Sequence, residues 1–312
     1  MIPSRQHTQI GSLSLCSPIM PASGTFDPLS SLPPFDLEQL GAVVLKSITL
    51  HPQWGNAPPR LAETPSGLVN SIGIPNRGLT HFVTEVLPRY TQRWSHLVVS
   101  VAGYSPEEYG LLTKTLSRNP AVIAIELNLS CPNLSYHVIP AHDPVLLKES
   151  IHAARETTTK PLWAKLALGV PSLGKMATVA ETAGADACTV INTISAMAID
   201  QSTGTPLLGG GTGGLSGPAI KPIALAAVFE VAQHSTLPII GVGGIMTLQD
   251  ILDFLYAGAS AVQIGTASFY DPLTMAHLVQ ELESYLDSVQ CTVADLVGRT
   301  QKRPQTGPVE RT

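Results

Sequence analysis

The chain has 312 residues, of which only 13% are charged, and its formal net charge at pH 7 is −5. This mildly acidic balance, with an isoelectric point near 6.0, argues against nucleic acid or an anionic membrane surface as the main partner. The polar start MIPSRQHTQI lacks a signal-peptide core and no apolar run reaches the ~18 residues of a membrane helix, so we expect a cytoplasmic protein with no membrane partner.

Eight short runs of continuously apolar residues recur along the chain. In order they are PIMPASG (18–24), AVVLKS (42–47), HLVVSVAG (96–103), AVIAIELNLS (121–130), PLWAKLAL (161–168), DACTVINT (186–193), PIIGVGG (238–244) and AVQIGT (261–266). Continuous rather than alternating hydrophobicity is typical of parallel strands that are buried on both faces.

Helical segments separate these runs, and three of them begin at recognisable capping residues. Ser105 and Asp143 each stand before a proline at the first helical position, and Thr247 precedes the segment LQDILDFLYAGA. The alternation of strands and helices predicts an α/β fold, a (β/α)₈ TIM barrel that takes in residues 1–312 as a single domain.

Two segments depart from this alternation. Residues 49–78 are rich in loop-forming residues, and residues 204–217 are rich in glycine. Loops of this length in a compact fold are usually functional, so we expect both segments to be loop-rich covers of a site.

The active site of such a barrel gathers at the carboxyl ends of the strands. In strand order those ends carry Ser23 and Gly24, Lys46 and Ser47, Ser100 and Gly103, then Asn128, Ser130, Cys131 and Asn133, then Lys165, Asn192 and Thr193, Gly243 and Gly244, and Gly265 and Thr266. Each residue alone has a plain structural explanation, since lysines are usually solvated and asparagines and glycines make turns. Together at one end of one barrel, they favour a site.

The glycines indicate the kind of ligand. GVGG (241–244) and QIGT (263–266) follow the last two strands, where bare backbone lets phosphate oxygens approach N–H groups. The cluster GGGTGG (209–214) lacks the preceding strand and the acidic partner of a dinucleotide fingerprint, which favours a mononucleotide over NAD. A reduced flavin carries negative charge near N1 that a fixed cation stabilises, and Lys165 is the candidate for that cation.

The four cysteines are scattered at positions 16, 131, 188 and 291, without the close spacing of metal or redox motifs. We therefore expect no bound metal and no disulfide framework. One reactive thiol is compatible with this pattern.

Six motifs resemble the class 1 dihydroorotate dehydrogenases, FMN enzymes that make orotate for pyrimidine synthesis. They are NSIGIPN (70–76), ELNLSCPN (126–133), VINT (190–193), GGLSGPAIKP (213–222), IIGVGGI (239–245) and QIGTA (263–267). The stretches PASGTF (21–26), TLHPQWGNAPPRLAET (49–64) and INTISAMAID (191–200) are most similar to subtype 1B. That resemblance implies a homodimer of catalytic subunits, joined in a heterotetramer to a second subunit that carries FAD and a 2Fe–2S cluster and reduces NAD.

Matched position by position, the resemblance implies two sets of contacts. For FMN they are Ser23, Lys46, Ser47, Asn128, Lys165, Ile191, Gly217, Gly243, Gly244, Gly265 and Thr266, with Ser100 standing where the family usually has asparagine. For dihydroorotate and orotate they are Lys46, Asn70, Ser71, Ile72, Gly73, Ile74, Asn128, Asn133, Asn192 and Thr193.

The chemistry explains these residue types. Asparagine amides match the imide edge of dihydroorotate, and Lys46 with the NSIGI turn can hold its carboxylate. Oxidation removes a hydride from C6 to the flavin and a proton from C5, so a base is needed on the face opposite the flavin. We assign Cys131 as that base and expect activity to rise with pH until its thiol ionises.

Several alternatives stay open at this point. The loop at 134–142 lacks the glycines usual in subtype 1B, and its histidines, His137 and His142, are more simply read as surface residues than as groups that tune Cys131. The chain could instead be a 1A-like homodimer that uses fumarate, or act on a related dihydropyrimidine. A barrel that binds a phosphorylated ligand without redox chemistry, with Cys131 only structural, is the alternative from another class.

Overall fold

The eight predicted runs form one parallel sheet in the computed structural model, which describes residues 4–29, 35–130 and 139–301. The strands are β1 (Thr8–Ile10), β2 (Leu13–Leu15), β3 (Ile19–Pro21), β4 (Val43–Ile48), β5 (Leu61–Thr64), β6 (Gly67–Asn70), β7 (Leu97–Val101), β8 (Val122–Asn128), β9 (Leu162–Lys165), β10 (Ala187–Val190), β11 (Ile194–Ala196), β12 (Gly213–Ser216), β13 (Ile239–Val242) and β14 (Ala259–Ile264). The large sheet has the order β3-β14-β13-β10-β9-β8-β7-β4, and its neighbours are parallel.

The two outer strands of this order, β3 and β4, also meet. The N–H of Gly41 donates to the carbonyl of Ile19 at 3.0 Å, and the hydroxyl of Ser23 donates to the carbonyl of Leu45 at 3.1 Å. The eight strands therefore close almost completely into a barrel, and the predicted (β/α)₈ TIM barrel is confirmed.

Apolar side chains fill the base of the barrel, at the amino-terminal ends of the strands. This base layer contains Met20, Val44, Val98, Ala124, Trp163, Ala187, Ile240 and Ala261, together with Ile10 and Leu15 from the β1–β2 hairpin. The alternate side chains of the strands point outward into a larger apolar cluster that packs against the helices. The strands are thus buried on both faces, as their continuous hydrophobicity predicts.

Helices surround the barrel. They are α1 (Gly78–His81), α2 (Leu87–Thr91), α3 (Pro106–Leu116), α4 (Pro144–Arg155), α5 (Leu173–Thr182), α6 (Lys221–His234), α7 (Leu248–Ala257), α8 (Ala267–Tyr270), α9 (Thr274–Val289) and α10 (Val293–Leu296), with a π-helical turn at Phe82–Val86 and 3₁₀ turns at Leu37–Gln39, Pro140–His142 and Pro218–Ile220. Across residues 4–29, 35–130 and 139–301, none of them combines the length and the apolar character that crossing a membrane requires.

The predicted helix starts are confirmed by their capping bonds. The Ser105 hydroxyl accepts from the backbone N–H of Glu108 at the start of α3, and the Asp143 carboxylate accepts from two backbone N–H groups of α4. Thr247 and Asp250 form a reciprocal capping box at the start of α7. Each cap satisfies N–H groups that a helix leaves unpaired at its first turn.

The expectation of loop-rich covers over residues 49–78 and 204–217 was incomplete, because both segments contribute strands. Together with β11 they form a four-stranded antiparallel sheet in the order β11-β12-β6-β5. Its strands have only three or four residues, and β12 begins with two glycines and is only half-buried. Segments so short and so poor in apolar side chains show neither a buried run nor an alternating pattern.

Candidate active site

A cavity of about 840 Å³ lies at the carboxyl ends of the barrel strands, where the four-stranded sheet also lines it. This volume falls within the ~300–1,000 Å³ that is common for ligand sites. Most of the predicted ligand-binding residues line it: Ser23, Lys46, Ser47, Asn70, Ser71, Ile72, Gly73, Ile74, Asn128, Lys165, Ile191, Asn192, Thr193, Gly217, Gly243, Gly244, Gly265 and Thr266. The fold therefore gathers side chains from distant parts of the chain around one space.

Three predicted site residues are absent from this list, for two different reasons. Ser100 is fully buried behind the cavity wall, where its hydroxyl lies 2.8 Å from that of Ser47. Cys131 and Asn133 lie outside the described residues. Ser100 can therefore act on the cavity through Ser47, whereas the roles of Cys131 and Asn133 stay predictions.

The two histidines of the neighbouring loop also separate. His142 is half-buried and lines the cavity, and its Nε2 lies 2.7 Å from the carbonyl oxygen of Leu168. It is thus engaged with the main chain rather than free at the surface. His137 lies outside the described residues.

A chain of hydrogen bonds along the cavity wall orients the asparagine amides. Nδ2 of Asn128 donates to Ser47 at 3.1 Å, and Oδ1 of Asn128 accepts from Ser130 at 3.0 Å. The same Ser130 hydroxyl accepts from Nδ2 of Asn192 at 2.6 Å. Among the residues that the structure describes, these bonds leave one N–H and one lone pair of the Asn128 amide for a ligand. From the sequence, Ser130 was placed among the strand-end residues that favour a site, but it was given no contact with a ligand or with the amides.

Lys46 reaches the turn that was predicted to hold a carboxylate. Its Nζ donates to the carbonyl oxygen of Pro75 at 2.9 Å. The side chain is exposed to the open cavity, but the cavity walls still desolvate its ammonium. This burial, together with the positive charge of Arg60, lowers the pKa of Lys46. The cation is thus held where an anionic ligand can displace water from it.

The same turn has an unusual backbone at Gly73 and Ile74, whose φ angles are +74° and +47°. A left-handed conformation is rare for a β-branched residue such as Ile74, and residues of this kind concentrate at ligand clamps and active sites. The turn therefore directs its backbone groups in a way that ordinary loop geometry does not produce.

Glycine-containing loops after β12, β13 and β14 form another wall. Gly244 has a φ of +73°, and a Cβ placed on it would lie 2.8 Å from both the carbonyl oxygen of Gly217 and the Cβ of Lys221. Thr266 donates to Ser216 at 2.8 Å and ties the β14 loop to the end of β12. Because no side chain fits at Gly244, the backbone there stays bare, as close approach by phosphate oxygens requires. The wall therefore fits a phosphate group.

Lys165 ends β9 and lines the cavity, although only 6% of the residue is exposed. Its Nζ lies 4.0 Å from the carboxylate of Glu126, which is fully buried on β8. Gln263 on β14 lines the same cavity. Sequence reasoning gave neither Glu126 nor Gln263 a role, although a carboxylate and an amide inside the runs AVIAIELNLS and AVQIGT were detectable signals, since such groups are rarely buried without partners.

The sequence model of the family described as dihydroorotate dehydrogenase matches residues 6–286. Several relatives named "Dihydroorotate dehydrogenase B (NAD(+)), catalytic subunit" match almost end to end. The relative from Anoxybacillus flavithermus is 44% identical over 306 residues, covering 97% of this chain and 98% of that protein. The relative from a Geobacillus species is 43% identical, with 96% and 97% covered, and that from Geotalea uraniireducens is 42% identical, with 89% and 92% covered.

Proposed function

The chain belongs to the dihydroorotate dehydrogenase family, and on that premise we propose that it oxidises dihydroorotate to orotate in pyrimidine biosynthesis, with FMN as its cofactor. The supporting observation is that lysines, asparagines and bare glycine loops converge on one and the same cavity. Membership of the family implies a flavin. FMN is the form with one phosphate, which suits one glycine wall around Gly217 and Gly244.

FMN would supply the acceptor for the hydride that leaves C6 of the substrate. Gly217, Gly244 and Gly265 are suited to hold its phosphate, and the hydroxyls of Ser23 and Ser47 face the same cavity. Lys165 presents a cation from the barrel interior, where little water screens it. A fixed positive charge in such surroundings stabilises negative charge that develops on a bound ring.

The substrate would be held by amides and one cation. Asn70, Asn128 and Asn192 line the cavity, and each amide offers a donor and an acceptor in one plane. Lys46 supplies the positive charge for the carboxylate. The hydrogen bonds of Ser130 to two of these amides orient them before the ligand arrives, which lowers the entropy lost on binding.

Cys131 would take the proton from C5. It follows directly on Ser130 in the sequence, and Ser130 is 4% exposed and lines the cavity. A thiolate is a competent base near neutral pH when donors or positive charge stabilise it.

For the electron acceptor, we propose a second subunit with FAD and a 2Fe–2S cluster that passes electrons to NAD, in a heterotetramer built around a dimer of this chain. The names of the relatives, which include NAD(+) and "catalytic subunit", support a further subunit and NAD as the acceptor. The FAD, the 2Fe–2S cluster and the heterotetramer are proposed from the resemblance of the sequence motifs to subtype 1B. The expected result is NAD reduction only when the partner subunit is co-expressed. Fumarate turnover by this chain alone would contradict it.

The decisive test of the reaction is anaerobic titration of the purified, FMN-loaded chain with dihydroorotate. We expect the visible flavin absorbance to bleach, with one orotate formed for each flavin reduced. A chain that takes up no FMN, or whose flavin absorbance stays unchanged with dihydroorotate, would contradict the proposal. Dihydrouracil, which lacks the carboxylate, is a suitable control substrate because it tests the role given to Lys46.

A further inference from the structure

A layer of buried polar side chains crosses the barrel interior at the inner end of the cavity, where two of its members, Lys165 and Gln263, form part of the lining. Each member lies two residues beyond an apolar residue of the base layer on its own strand: Ser100 after Val98, Glu126 after Ala124, Lys165 after Trp163, Thr189 after Ala187 and Gln263 after Ala261. Apart from Lys165, these residues are at most 1% exposed. Since branched apolar side chains normally fill such barrels, the layer requires an explanation other than packing.

Glu126 is the acidic group of this layer. Its Oε2 accepts from Nε2 of Gln263 at 2.8 Å and from the hydroxyl of Thr189 at 3.1 Å. Its Oε1 has no hydrogen-bond partner within the described ranges and lies 4.0 Å from Nζ of Lys165. Two donors meet one carboxylate oxygen and a cation lies beside the other, and both kinds of contact favour the charged form of a carboxylate.

The amide of Gln263 is oriented by the same contact. A reversed amide would set its carbonyl oxygen against a carboxylate oxygen, so Nε2 must face Glu126. The Oε1 atom of Gln263 is then buried and has no partner among the residues described. Glu126 therefore orients the amide of Gln263 with one carboxylate oxygen and lies beside the ammonium of Lys165 with the other.

Stability alone does not account for this carboxylate. A buried ion pair is often no more stable than apolar side chains of the same volume, because the charges lose their hydration. The pair does place a negative charge directly behind the cation that faces the cavity. The effect of the pair is therefore electrostatic, and it acts on the group that Lys165 contacts in the cavity.

We propose that Glu126 is a positioning residue that holds Lys165 and offsets its charge, and thereby sets the reduction potential of the bound flavin. This inference rests on the proposed function. Lys165 alone would stabilise the negatively charged reduced ring and raise the potential. Glu126 opposes that effect, so that the reduced flavin gives up electrons more readily to a weak oxidant such as a nicotinamide.

The test is the potential of the FMN-loaded Glu126→Gln variant, measured anaerobically against a reference dye. Glutamine keeps the shape and most of the hydrogen bonding but removes the charge. We expect the equilibrium constant for two-electron reduction to rise at least tenfold, which is a shift of about 30 mV to more positive potential. Thermal unfolding and FMN affinity, measured on the same samples, report whether the fold and the site are intact.

Thr189→Val is the matched control, because it removes a hydrogen bond to the same carboxylate oxygen and leaves the charge in place. We expect its potential to stay within threefold of the wild type in equilibrium constant. If the two variants shift the potential equally, or Glu126→Gln shifts it by less than threefold or downwards, the inference is wrong.

Glu126→Asp covers the case in which the glutamine variant does not fold. It keeps the charge but withdraws it by one methylene from Lys165, so a smaller positive shift supports the inference and an unchanged potential overturns it. A wild-type chain that binds no flavin would contradict the proposed function itself. A flavin-loaded wild type with an unresponsive Glu126 variant would overturn only the present inference.

Discussion

The apolar base layer and the layer of buried polar side chains differ in chemistry, although their residues lie only two positions apart on the same strands. Trp163 at the base is followed by Lys165, and Val98 is followed by Ser100. Successive inward positions on a strand are separated by about 7 Å, so one step of the strand period carries the interior from an apolar core to a polar site.

This comparison shows how one fold separates its two tasks. The base layer excludes water and holds the strands in register, so its side chains need only volume and shape. The polar layer must orient an amide and hold charges, so its side chains depend on neighbours from other strands. Substitutions in the base layer should therefore act on stability, whereas a change of charge in the polar layer should act on the chemistry.

The largest expected effect is the loss of rate when Cys131, the proposed base, is replaced. Cys131→Ser should slow flavin reduction by dihydroorotate about 10²- to 10⁴-fold at neutral pH, because a serine hydroxyl, unlike a thiol, does not ionise in this range and so supplies no anionic base. FMN affinity should be unchanged. Stopped-flow absorbance measures the rate. Cys16→Ser, at an exposed cysteine remote from the cavity lining, is the control and should behave as the wild type. Equal rates in both variants would remove Cys131 from the mechanism.

A substitution in the base layer should instead lower the stability of the fold. Trp163 is fully buried, and Trp163→Ala should lower the free energy of unfolding by about 3–5 kcal/mol through the cavity it creates. The matched control is Trp54→Ala, because Trp54 is 91% exposed and its loss should change stability by less than about 0.5 kcal/mol. Chemical denaturation measures both. Similar losses in the two variants would contradict the assignment of Trp163 to the core.

The parts of the fold that were predictable are those with local signals. Continuous apolar runs identify the eight barrel strands, and Ser105, Asp143 and Thr247 identify helix starts, because both signals depend only on neighbours in sequence. The four-stranded sheet was missed because its short strands, such as β12 with Gly213 and Gly214, are stabilised by pairing with distant segments. No window of sequence contains that information.

The candidate site likewise has a part with local sequence signals and a part that depends on distant segments. Lys46, Asn128 and Lys165 could be placed near a ligand from their positions at strand ends. Which side chains bond to one another could not be predicted, because Ser130 bonds to Asn192 and Glu126 bonds to Gln263 across segments far apart in the chain. Hydrogen-bond partners of this kind follow from strand order, which the sequence does not state.

The glycine wall provides a smaller effect with a close control. Gly244 and Gly204 have similar φ angles of +73° and +69°, but a Cβ on Gly204 would meet no atom of the described residues within 4 Å. Alanine at either position should therefore bring a similar left-handed strain of about 1–2 kcal/mol. Only Gly244→Ala also displaces the wall, and we expect it to weaken FMN binding at least tenfold while Gly204→Ala does not. Equal FMN affinities would show that the phosphate lies elsewhere.

The mildest test compares two lysines at opposite ends of the barrel. Burial lowers the pKa of Lys160, just before β9, as it does that of Lys46 at the cavity. The Lys160 ammonium donates to the carbonyl oxygens of Asn119 and Val122, so Lys160→Met should reduce stability and leave the KM for dihydroorotate unchanged.

Lys46 should instead control how KM depends on pH. The ammonium form binds the substrate carboxylate, and a lowered pKa means that this form is lost at a lower pH than for an ordinary lysine. The KM of the wild type should therefore rise about tenfold through the alkaline range, whereas kcat follows the base and does not fall there. Lys46→Arg keeps its charge throughout, so its KM should stay flat with pH, and Lys46→Met should be flat at a high KM. A wild-type KM that is independent of pH while Lys46→Met still binds substrate normally would show that another group holds the carboxylate.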